Sequence, residues 1–367
     1  MLPAVMFGGP SPEHDVSVLT GLQAARALTA SGTRVEAIYW SKSGSLHQVD
    51  PGLEASDFAD GVPRGATDIE LGFGVDRGFA ALGRMGRRRS LGIDVVLNCC
   101  HGGPGEDGTL QAALDLAGLR YTGPTHAGAA LGMDKLAFSS LAAAVGLAVL
   151  PRAVLGPESP DPHFDGPYIV KPRFGGSSIG IEVVADVATA RALRGSSPHL
   201  RDGGLVEPYL PDADDLEISV RTHPGVALSP IARPLRTVDG GRILSYGDKY
   251  LGGEGMASTP RELPAKIDGK VAAAVVDAAT ALVDVAGLRS LCRLDFLLDG
   301  DDLWVNEVNT VPGSLSLYLW EAAGASKADV LRSLLDEAAA SLPRRFSAEG
   351  SDGRALRAAG SIASKLA

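Results

Sequence analysis

The 367-residue sequence has few cysteines and no long basic cluster, and both shortages exclude classes of protein. Its cysteines are Cys99, Cys100 and Cys292. Two are adjacent and none has the spacing of metal ligands, so neither a disulfide framework nor a zinc site is expected. Basic residues number 34 and acidic residues 44, a formal net charge of −10. With no basic run beyond three arginines at 87–89, binding to nucleic acid is not expected.

Long hydrophobic runs are also missing. The longest uncharged stretch, residues 136–151, contains serine, glycine and proline and is too short to span a bilayer. The N-terminus lacks the basic and then apolar segments of a signal peptide. These features predict a cytoplasmic protein that does not bind a membrane.

The order of apolar runs predicts an α/β part followed by an α+β part. Residues 2–7 form an apolar run that ends in a glycine turn and leads into an amphipathic stretch over 14–30, the opening of a βαβ unit. Residues 43–92 are rich in glycine and aspartate, which predicts an elaborated loop region with one short helix. Consecutive strands in the second half favour an antiparallel sheet with helices on one face. The predicted domains are 1–123, 124–211 and 212–345, followed by a tail over 346–367.

Oxygen ligands cluster on two predicted strands near the end of the chain. Asp295 lies on one strand, and Glu307 and Asn309 lie two residues apart on the next, hence on one face. An Asp, Glu and Asn set suits Mg²⁺, which prefers hard oxygen ligands. Arg293 shares the face of Asp295 and could stabilise negative charge developing on a substrate. A salt-bridge cluster at a strand end would show the same pattern.

Lysine is scarce, since only 8 of the 34 basic residues are lysines. Lys171 ends a predicted strand and precedes a Gly/Ser loop that contains Gly175 and Gly176. Such a loop lets backbone N–H groups approach a phosphate, with the lysine as a point charge, although the pattern is also typical of a β-hairpin turn. Lys135 and Lys249 are the other candidate phosphate cations.

Two further patterns fit a nucleotide or substrate site. Glu207 ends a strand just before a proline, and such an edge can hold an adenine, with carboxylates such as Glu207 and Glu217 near the base or ribose. Glycine turns after residue 7 and at His101 follow buried strands, where open α/β sheets bind ligands. The dinucleotide fingerprint G-x-G-x-x-G is absent, so a nicotinamide oxidoreductase is not favoured.

Taken together, the motifs resemble the D-alanine–D-alanine ligases, members of the ATP-grasp superfamily of carboxylate–amine ligases. The resemblance runs over residues 4–342. Nine segments occur in the family's order: FGGPSPEHDVS at 7–17, HGGPGEDGTLQ at 101–111, YTG at 121–123, MDK at 133–135, VKPRFGGSSIG at 170–180, VEPYL at 206–210, KY at 249–250, RLDF at 293–296 and NEVNTVPG at 306–313.

The resemblance implies an ATP-grasp fold with an N-terminal Rossmann-like (pre-ATP-grasp) domain. It also implies ATP and two Mg²⁺ ions, with Mn²⁺ as a substitute, small amino-acid substrates, a homodimer, and a role in peptidoglycan biosynthesis for the cell wall. The reaction would pass through an acyl phosphate and release ADP and phosphate. A catalytically silent nucleotide-binding protein is the alternative from another class.

The resemblance also implies a role for each site residue. At the nucleotide it places Lys135, Lys171, Lys249, Ser178 and Asn306, with Glu207, Tyr209 and Leu210 around the adenine and Glu217 at the ribose. Asp295, Glu307 and Asn309 would hold the metal ions, and Arg293 with the backbone of Gly313 would stabilise the oxyanion. Glu13 would receive the first amino acid's ammonium, with His101 in the same pocket. Ser177 and Tyr250, linked to Glu13, would hold the loop over 250–260 closed over the site. Ser316 and Leu317 would contact the second substrate.

Departures from the family pattern concentrate around the acceptor. The segment 314–318 is several residues shorter than usual, which predicts an altered choice of second substrate unless Ser316 and Leu317 replace the usual pair. The default function remains a ligase that joins two D-alanine molecules into a dipeptide. The alternative function is therefore a related ATP-grasp ligase of secondary metabolism or resistance that joins a different amino acid, amine or hydroxy acid. About three extra residues separate Glu207 from Glu217, so Asp214 or Asp215 could replace Glu217 at the ribose. The sequence reads Leu-Ser-Tyr at 244–246, where the family usually has Tyr-Asp-Tyr.

Overall fold

The computed structural model describes residues 1–74, 77–83, 87–156, 158–235, 260–359 and 361–362. Its first third is built on one eight-stranded mixed sheet. The strands are β1 (Pro3–Gly8), β2 (Glu36–Trp40), β3 (Leu46–Val49), β4 (Thr67–Gly72), β5 (Gly78–Leu82), β6 (Arg88–Ser90), β7 (Val95–Asn98) and β8 (Arg120–Tyr121). They lie in the order β6-β5-β4-β3-β2-β1-β7-β8.

Strands β1, β2, β7 and β8 are parallel, as the opening βαβ pattern predicts. Every residue of β1 is buried. Helix α1 (His14–Ala30) packs directly on this strand. A Cβ on Gly21 would lie 2.4 Å from the side chain of Phe7, so a glycine is required for this close approach. The carboxyl ends of the parallel strands face the rest of the chain, and this is the edge at which open α/β sheets bind ligands.

The prediction of a loop region over 43–92 is wrong in its main part. Strands β3 to β6 extend the sheet in antiparallel fashion, and a short 3₁₀ helix (Ala55–Phe58) lies between β3 and β4. Ile69, Phe79 and Ala81 of these strands are buried in the core. Tertiary packing thus overrides the low strand propensity of a glycine- and aspartate-rich segment.

Two antiparallel sheets follow. The first contains β9 (Ala153–Leu155), β10 (Tyr168–Pro172), β11 (Glu182–Val184) and β12 (Gly204–Pro208), in the order β11-β10-β12-β9. The second contains β13 (Asp214–Arg221), β14 (Ala227–Leu228), β17 (Leu291–Asp299) and β18 (Asp302–Asn309), in the order β14-β13-β17-β18. A two-stranded ribbon joins β15 (Arg233–Pro234) to β16 (Arg261–Glu262).

One predicted strand divides in two. The sequence predicts a single strand over 226–233, whereas the structure has β14 and β15, which belong to different sheets. Pro230 lies between them and cannot donate a ladder hydrogen bond, so the strand is interrupted there.

Helices cover these sheets. They are α2 (Gly103–Glu106), α3 (Thr109–Leu116), α4 (His126–Met133), α5 (Lys135–Ala144), α6 (Val187–Ser196), α7 (Gly269–Val285), α8 (Leu317–Ala322), α9 (Lys327–Ala340) and α10 (Arg354–Ala359), with 3₁₀ turns at Pro198–Leu200 and Gly313–Ser316. Within the described ranges, no helix is long and apolar enough to cross a bilayer.

Helix α9 links the two ends of the chain. Val330, Leu331 and Leu334 of α9 are buried in the same hydrophobic cluster as Val5 and Phe7 of β1. Helix α9 therefore packs on the N-terminal sheet. This return places the turn after β18 against α1, where the candidate site lies.

Candidate active site

Two adjoining cavities lie where the three sheets meet. The larger is bounded by β10, β12, β13, β17 and β18, and the smaller by the N-terminal sheet and the end of β18. Five residues line both cavities: Lys135, Gly175, Gly176, Arg293 and Glu307. A molecule in one cavity can therefore reach a molecule in the other.

The candidate metal ligands lie together because of strand register. Asp295 on β17 is the direct partner of Glu307 on β18, and Arg293 is the partner of Asn309. The Asn309 side-chain amide donates to Asp295 Oδ2 over 2.9 Å. Burial raises the pKa of Asp295 to about 6, and the charges of Glu217 and Glu307 add to this against the opposing effect of Arg293. Two neighbouring carboxylates and the amide oxygen of Asn309 supply the oxygen ligands that a hard divalent cation prefers.

Arg293 is held in a fixed orientation by two acidic residues. Its Nε and Nη2 donate to the two Asp295 oxygens over 2.6 and 2.7 Å. Its Nη1 lies 3.6 Å from Glu217 Oε1. The guanidinium is buried yet lines both cavities, which suits it to stabilise charge that develops on a bound substrate.

Glu217, predicted at the ribose, lines the larger cavity but is engaged by other residues. Tyr318 donates to Glu217 Oε2 over 3.1 Å, and Arg261 Nη1 lies 3.6 Å from the same oxygen. Asp215, two residues earlier on the same face of β13, also lines the larger cavity. Asp214 pairs instead with Arg233 Nη1 over 3.0 Å and does not line it.

Two of the three candidate lysines are described, and both are buried. Lys135 begins α5; its Nζ lies 3.0 Å from Glu307 Oε2 and donates to the Gly175 carbonyl. Lys171 on β10 donates to Glu207 Oε2 over 2.7 Å and to Asn306 Oδ1 over 3.3 Å. Both lysines line the larger cavity. Lys249 and Tyr250 lie outside the described residues.

Arg152, which the sequence did not single out, contacts two residues that line the larger cavity. Its Nε lies 2.8 Å from Glu207 Oε1, and its Nη2 donates to the Asn306 carbonyl over 2.7 Å. Burial alone would raise the pKa of Glu207, but Lys171 and Arg152 together lower it. Because arginine is the common cation of this chain, no sequence signal marks this one.

The Gly/Ser loop after β10 contacts the N-terminal domain. Ser177 Oγ donates to Glu13 Oε1, as the resemblance predicts. Ser177 and Ser178 have φ of 53° and 59°, and a Cβ on Gly176 would lie 3.1 Å from both Glu13 carboxylate oxygens. The loop thus covers both cavities. Tyr209 and Leu210 line the far end of the larger cavity, where the adenine is predicted.

The smaller cavity also contains a carboxyl group that the sequence analysis missed. Glu106 lines it together with Glu13 and His101. Burial, followed by the charge of Glu13, raises the pKa of Glu106 to about 7. Glu106 follows His101 within the HGGPGEDG segment. That position was the sequence signal that could have marked it as a site residue.

The residue predicted at the oxyanion and those predicted at the acceptor lie in different places. Gly313 lines the smaller cavity. Ser316 and Leu317 are 0% and 1% exposed and line neither cavity. Ser314, Leu315 and Ser316 have φ of 50°, 48° and 47°, so the shortened segment folds into a tight left-handed turn beneath Gly313.

Comparison with known families and structures identifies related proteins. The family model described as the D-ala D-ala ligase N-terminus matches residues 3–124, and the corresponding C-terminus model matches residues 161–336. Two similar curated proteins are D-alanine–D-alanine ligases: one from Bradyrhizobium, 32% identical with coverage of 92% of this chain and 95% of the relative, and one from Methylobacterium, 33% identical with coverage of 92% and 91%.

Solved structures show the same fold. The D-alanine–D-alanine ligase of Coxiella burnetii has a TM-score of 0.74 at 22% identity, covering 92% of this chain and 95% of that one. A D-Ala:D-Ser ligase of Enterococcus faecalis has a TM-score of 0.73 at 22% identity, covering 92% and 99%. The predicted ATP-grasp architecture with an N-terminal α/β domain is confirmed.

Proposed function

Since the chain belongs to the D-alanine–D-alanine ligase family, we propose that it uses ATP to join two D-alanine molecules, releasing ADP and phosphate. The observation that carries the proposal is the set of charged side chains around one cavity. Lys135, Lys171 and Arg293 line the larger cavity together with Asp295 and Glu307, and Lys135 Nζ lies 3.0 Å from Glu307 Oε2. This arrangement suits the meeting of a nucleotide triphosphate with a carboxylate.

The first substrate would bind in the smaller cavity. Glu13 receives its ammonium, which orients its carboxylate toward the larger cavity and the γ-phosphate. The carboxylate oxygen attacks the γ-phosphorus, the bond from phosphorus to the ADP oxygen breaks, and an acyl phosphate forms. Both reactants are anionic, so Lys135, Lys171 and the predicted Lys249 lower the electrostatic cost of their approach.

Asp295, Glu307 and Asn309 would hold Mg²⁺, two ions in the proposal, or Mn²⁺ in its place. The bound cations supply positive charge next to the phosphates. Lys135 contacts Glu307 and so connects this acidic group to the phosphate side of the cavity.

The second substrate's amine would then attack the acyl carbon, the bond from that carbon to the phosphate oxygen would break, and phosphate would leave with the proton that the amine loses. Negative charge develops on the former carbonyl oxygen, where the Arg293 guanidinium and the Gly313 N–H are placed to stabilise it. The Ser177–Glu13 hydrogen bond holds the Gly/Ser loop over the cavities. The closed loop excludes water, which would hydrolyse the acyl phosphate.

For the nucleotide, we propose that Asp215 approaches the ribose. Asp215 lines the same cavity as Tyr209 and Leu210 and lies two residues before Glu217 on the same face of β13. Tyr209 and Leu210 border the adenine end. Asp215→Asn is expected to raise KM for ATP more than it lowers kcat.

D-alanine is the proposed acceptor as well as the proposed donor. The related ligases are similar over 92% of this chain, and the C-terminal family model matches residues 161–336, which include the shortened segment 314–318, so the comparisons do not favour a different acceptor. A homodimer, a cytoplasmic location and a role in peptidoglycan synthesis belong to the same proposal. Analytical ultracentrifugation tests the assembly.

The test is release of ADP and phosphate with single and paired D- and L-amino acids. D-alanine alone should support turnover and yield the dipeptide, and L-alanine should not. If, at a fixed first substrate, ADP and phosphate are released only with a bulkier or non-carboxylate amine, that amine and not D-alanine is the acceptor. No release with any pair would favour a catalytically silent nucleotide-binding protein.

A further inference from the structure

Thr20 lies at the centre of a buried hydrogen-bond relay. It belongs to α1 and is 2% exposed. Its Oγ1 lies 2.8 Å from His101 Nε2 and 3.1 Å from the Ser314 amide nitrogen. His101 Nδ1 lies 2.6 Å from the Val311 carbonyl oxygen. The relay thus connects two points of one turn, residues 311 and 314, through the N-terminal domain.

The direction of every bond in the relay is determined. A carbonyl oxygen only accepts, so His101 Nδ1 carries a hydrogen and donates to Val311. Burial lowers the pKa of His101 to about 4, so at neutral pH the ring is uncharged and Nε2 accepts. The Thr20 hydroxyl therefore donates to His101, and its lone pair accepts from the Ser314 N–H. A residue without a hydroxyl could not serve both neighbours.

Gly313 lies between the two tied residues. A third contact adds to them, because Glu106 Oε1 accepts from the Val311 N–H over 2.8 Å and from the Thr310 hydroxyl over 3.3 Å. The residues after Gly313 do not favour this turn by themselves, since Ser314, Leu315 and Ser316 all have positive φ. Such a run of non-glycine residues persists only where the surroundings enforce it.

We propose that Thr20 is a positioning residue for amide-bond formation, which holds the strained turn so that the Gly313 N–H points at the developing oxyanion. The inference rests on the proposed ligase function. Thr20 touches no substrate in this account and acts through Ser314 and His101.

The experiment compares Thr20→Val, which removes the hydroxyl at nearly constant shape, with Thr20→Ser, which keeps it. Removing an oxyanion donor outright costs about 10²- to 10³-fold in kcat, and displacing one should cost about 10- to 100-fold. We expect that loss in Thr20→Val, with KM for ATP changed by less than about twofold. Thr20→Ser should remain within about threefold of the wild type, because both hydrogen bonds survive.

A second readout does not depend on turnover. Hydrogen–deuterium exchange over residues 310–318 of the unliganded protein should be faster in Thr20→Val and unchanged in Thr20→Ser, because the Ser314 amide loses its acceptor only in the first. Thr29→Val, an exposed position on the same helix, is the matched control and should leave kcat and exchange as in the wild type.

The outcomes separate the inference from the proposed function. If the wild type shows no D-alanine-dependent phosphate release, the proposed function fails, while exchange still reports on the turn. A Thr20→Val enzyme with wild-type kcat or unchanged exchange overturns the positioning role. Equal damage by serine and valine would assign the effect to packing and also overturn it. If the valine variant does not fold, Thr20→Ala is judged by the same criteria.

Discussion

The strand pair β17–β18 and the turn that follows it supply neighbouring parts of one site in different ways. On the strands, Arg293, Asp295, Glu307 and Asn309 are placed by ladder register. In the turn, Gly313 is placed by contacts from α1 and His101, across about 300 and 210 residues of sequence. The geometry of the strand pair is thus set by its own backbone pairing, whereas the geometry of the turn depends on contacts with another domain.

The largest effect should come from the strand-borne carboxylates. Glu307→Gln removes one charge and keeps the shape, so the cation site loses a ligand while β18 stays paired. We expect kcat to fall by at least about 10³-fold, the several kcal/mol that a bound cation supplies, with the thermal midpoint nearly unchanged. Steady-state phosphate release and circular dichroism melting measure the two. Asp301→Asn in the exposed β17–β18 hairpin is the control, and turnover of Glu307→Gln within a few-fold of the wild type would refute the metal assignment.

Arg293 should rank next. Arg293→Ala removes the guanidinium that faces both cavities, and kcat should fall by about 10²-fold or more, the range measured for a lost oxyanion donor. KM for ATP should change little. A change confined to KM would instead make Arg293 a nucleotide contact. Arg191→Ala, at an exposed ion pair with Asp161, controls for loss of an arginine.

His101 and Glu106, the two buried groups that contact the turn, should make the free energy of unfolding depend on pH. Burial lowers the pKa of His101 from 6.5 to about 4, so its stabilising contribution is present above pH 6.5 and is lost as pH falls through 4. Burial raises the pKa of Glu106 from 4.5 to about 7, so its contribution is present below pH 4.5 and is lost as pH rises through 7. Between pH 4.5 and 6.5 the two slopes oppose each other and nearly cancel in the wild type.

Single variants should expose each slope. In Glu106→Gln the free energy of unfolding should fall by about 2–3 kcal/mol, relative to the wild type, as pH drops from 6.5 to 4.5. In His101→Gln it should fall by a similar amount as pH rises over the same window. Urea titrations at five pH values measure this. Curves that run parallel to the wild type in both variants would contradict the assigned protonation states.

The sequence predicts the residues on the strand pair better than the contacts that hold the turn. The period of two along a strand puts Glu307 and Asn309 on one face, and adjacent strands bring Asp295 opposite, so the candidate metal site could be predicted from spacing. The Ser177–Glu13 contact was expected only from the resemblance. The role of Thr20 could not be predicted, because a threonine inside an amphipathic helix is compatible with many surroundings.

The fold shows the same limit. Helix α1 was predicted with the bounds that the structure has, since its pattern is local. Strands β3 to β6 were missed because their pairing depends on burial of Ile69 and Phe79 against a core built by other segments. Arg152 was missed because its partner Glu207 lies 55 residues further along the chain and nothing local marks the pair.

The smallest effect should sharpen the comparison most directly. A left-handed residue other than glycine costs about 1–2 kcal/mol, while glycine costs about 0.5–1 kcal/mol through the greater entropy of its unfolded chain. Ser314→Gly should therefore raise the free energy of unfolding by a few tenths of a kcal/mol to about 1 kcal/mol. Ser140→Gly in the exposed part of α5 should lower it by about 0.5 kcal/mol, because glycine disfavours helix. Opposite signs in the two variants, measured by urea unfolding, are the expected result, and a destabilised Ser314→Gly would mean that the turn is not strained at this residue.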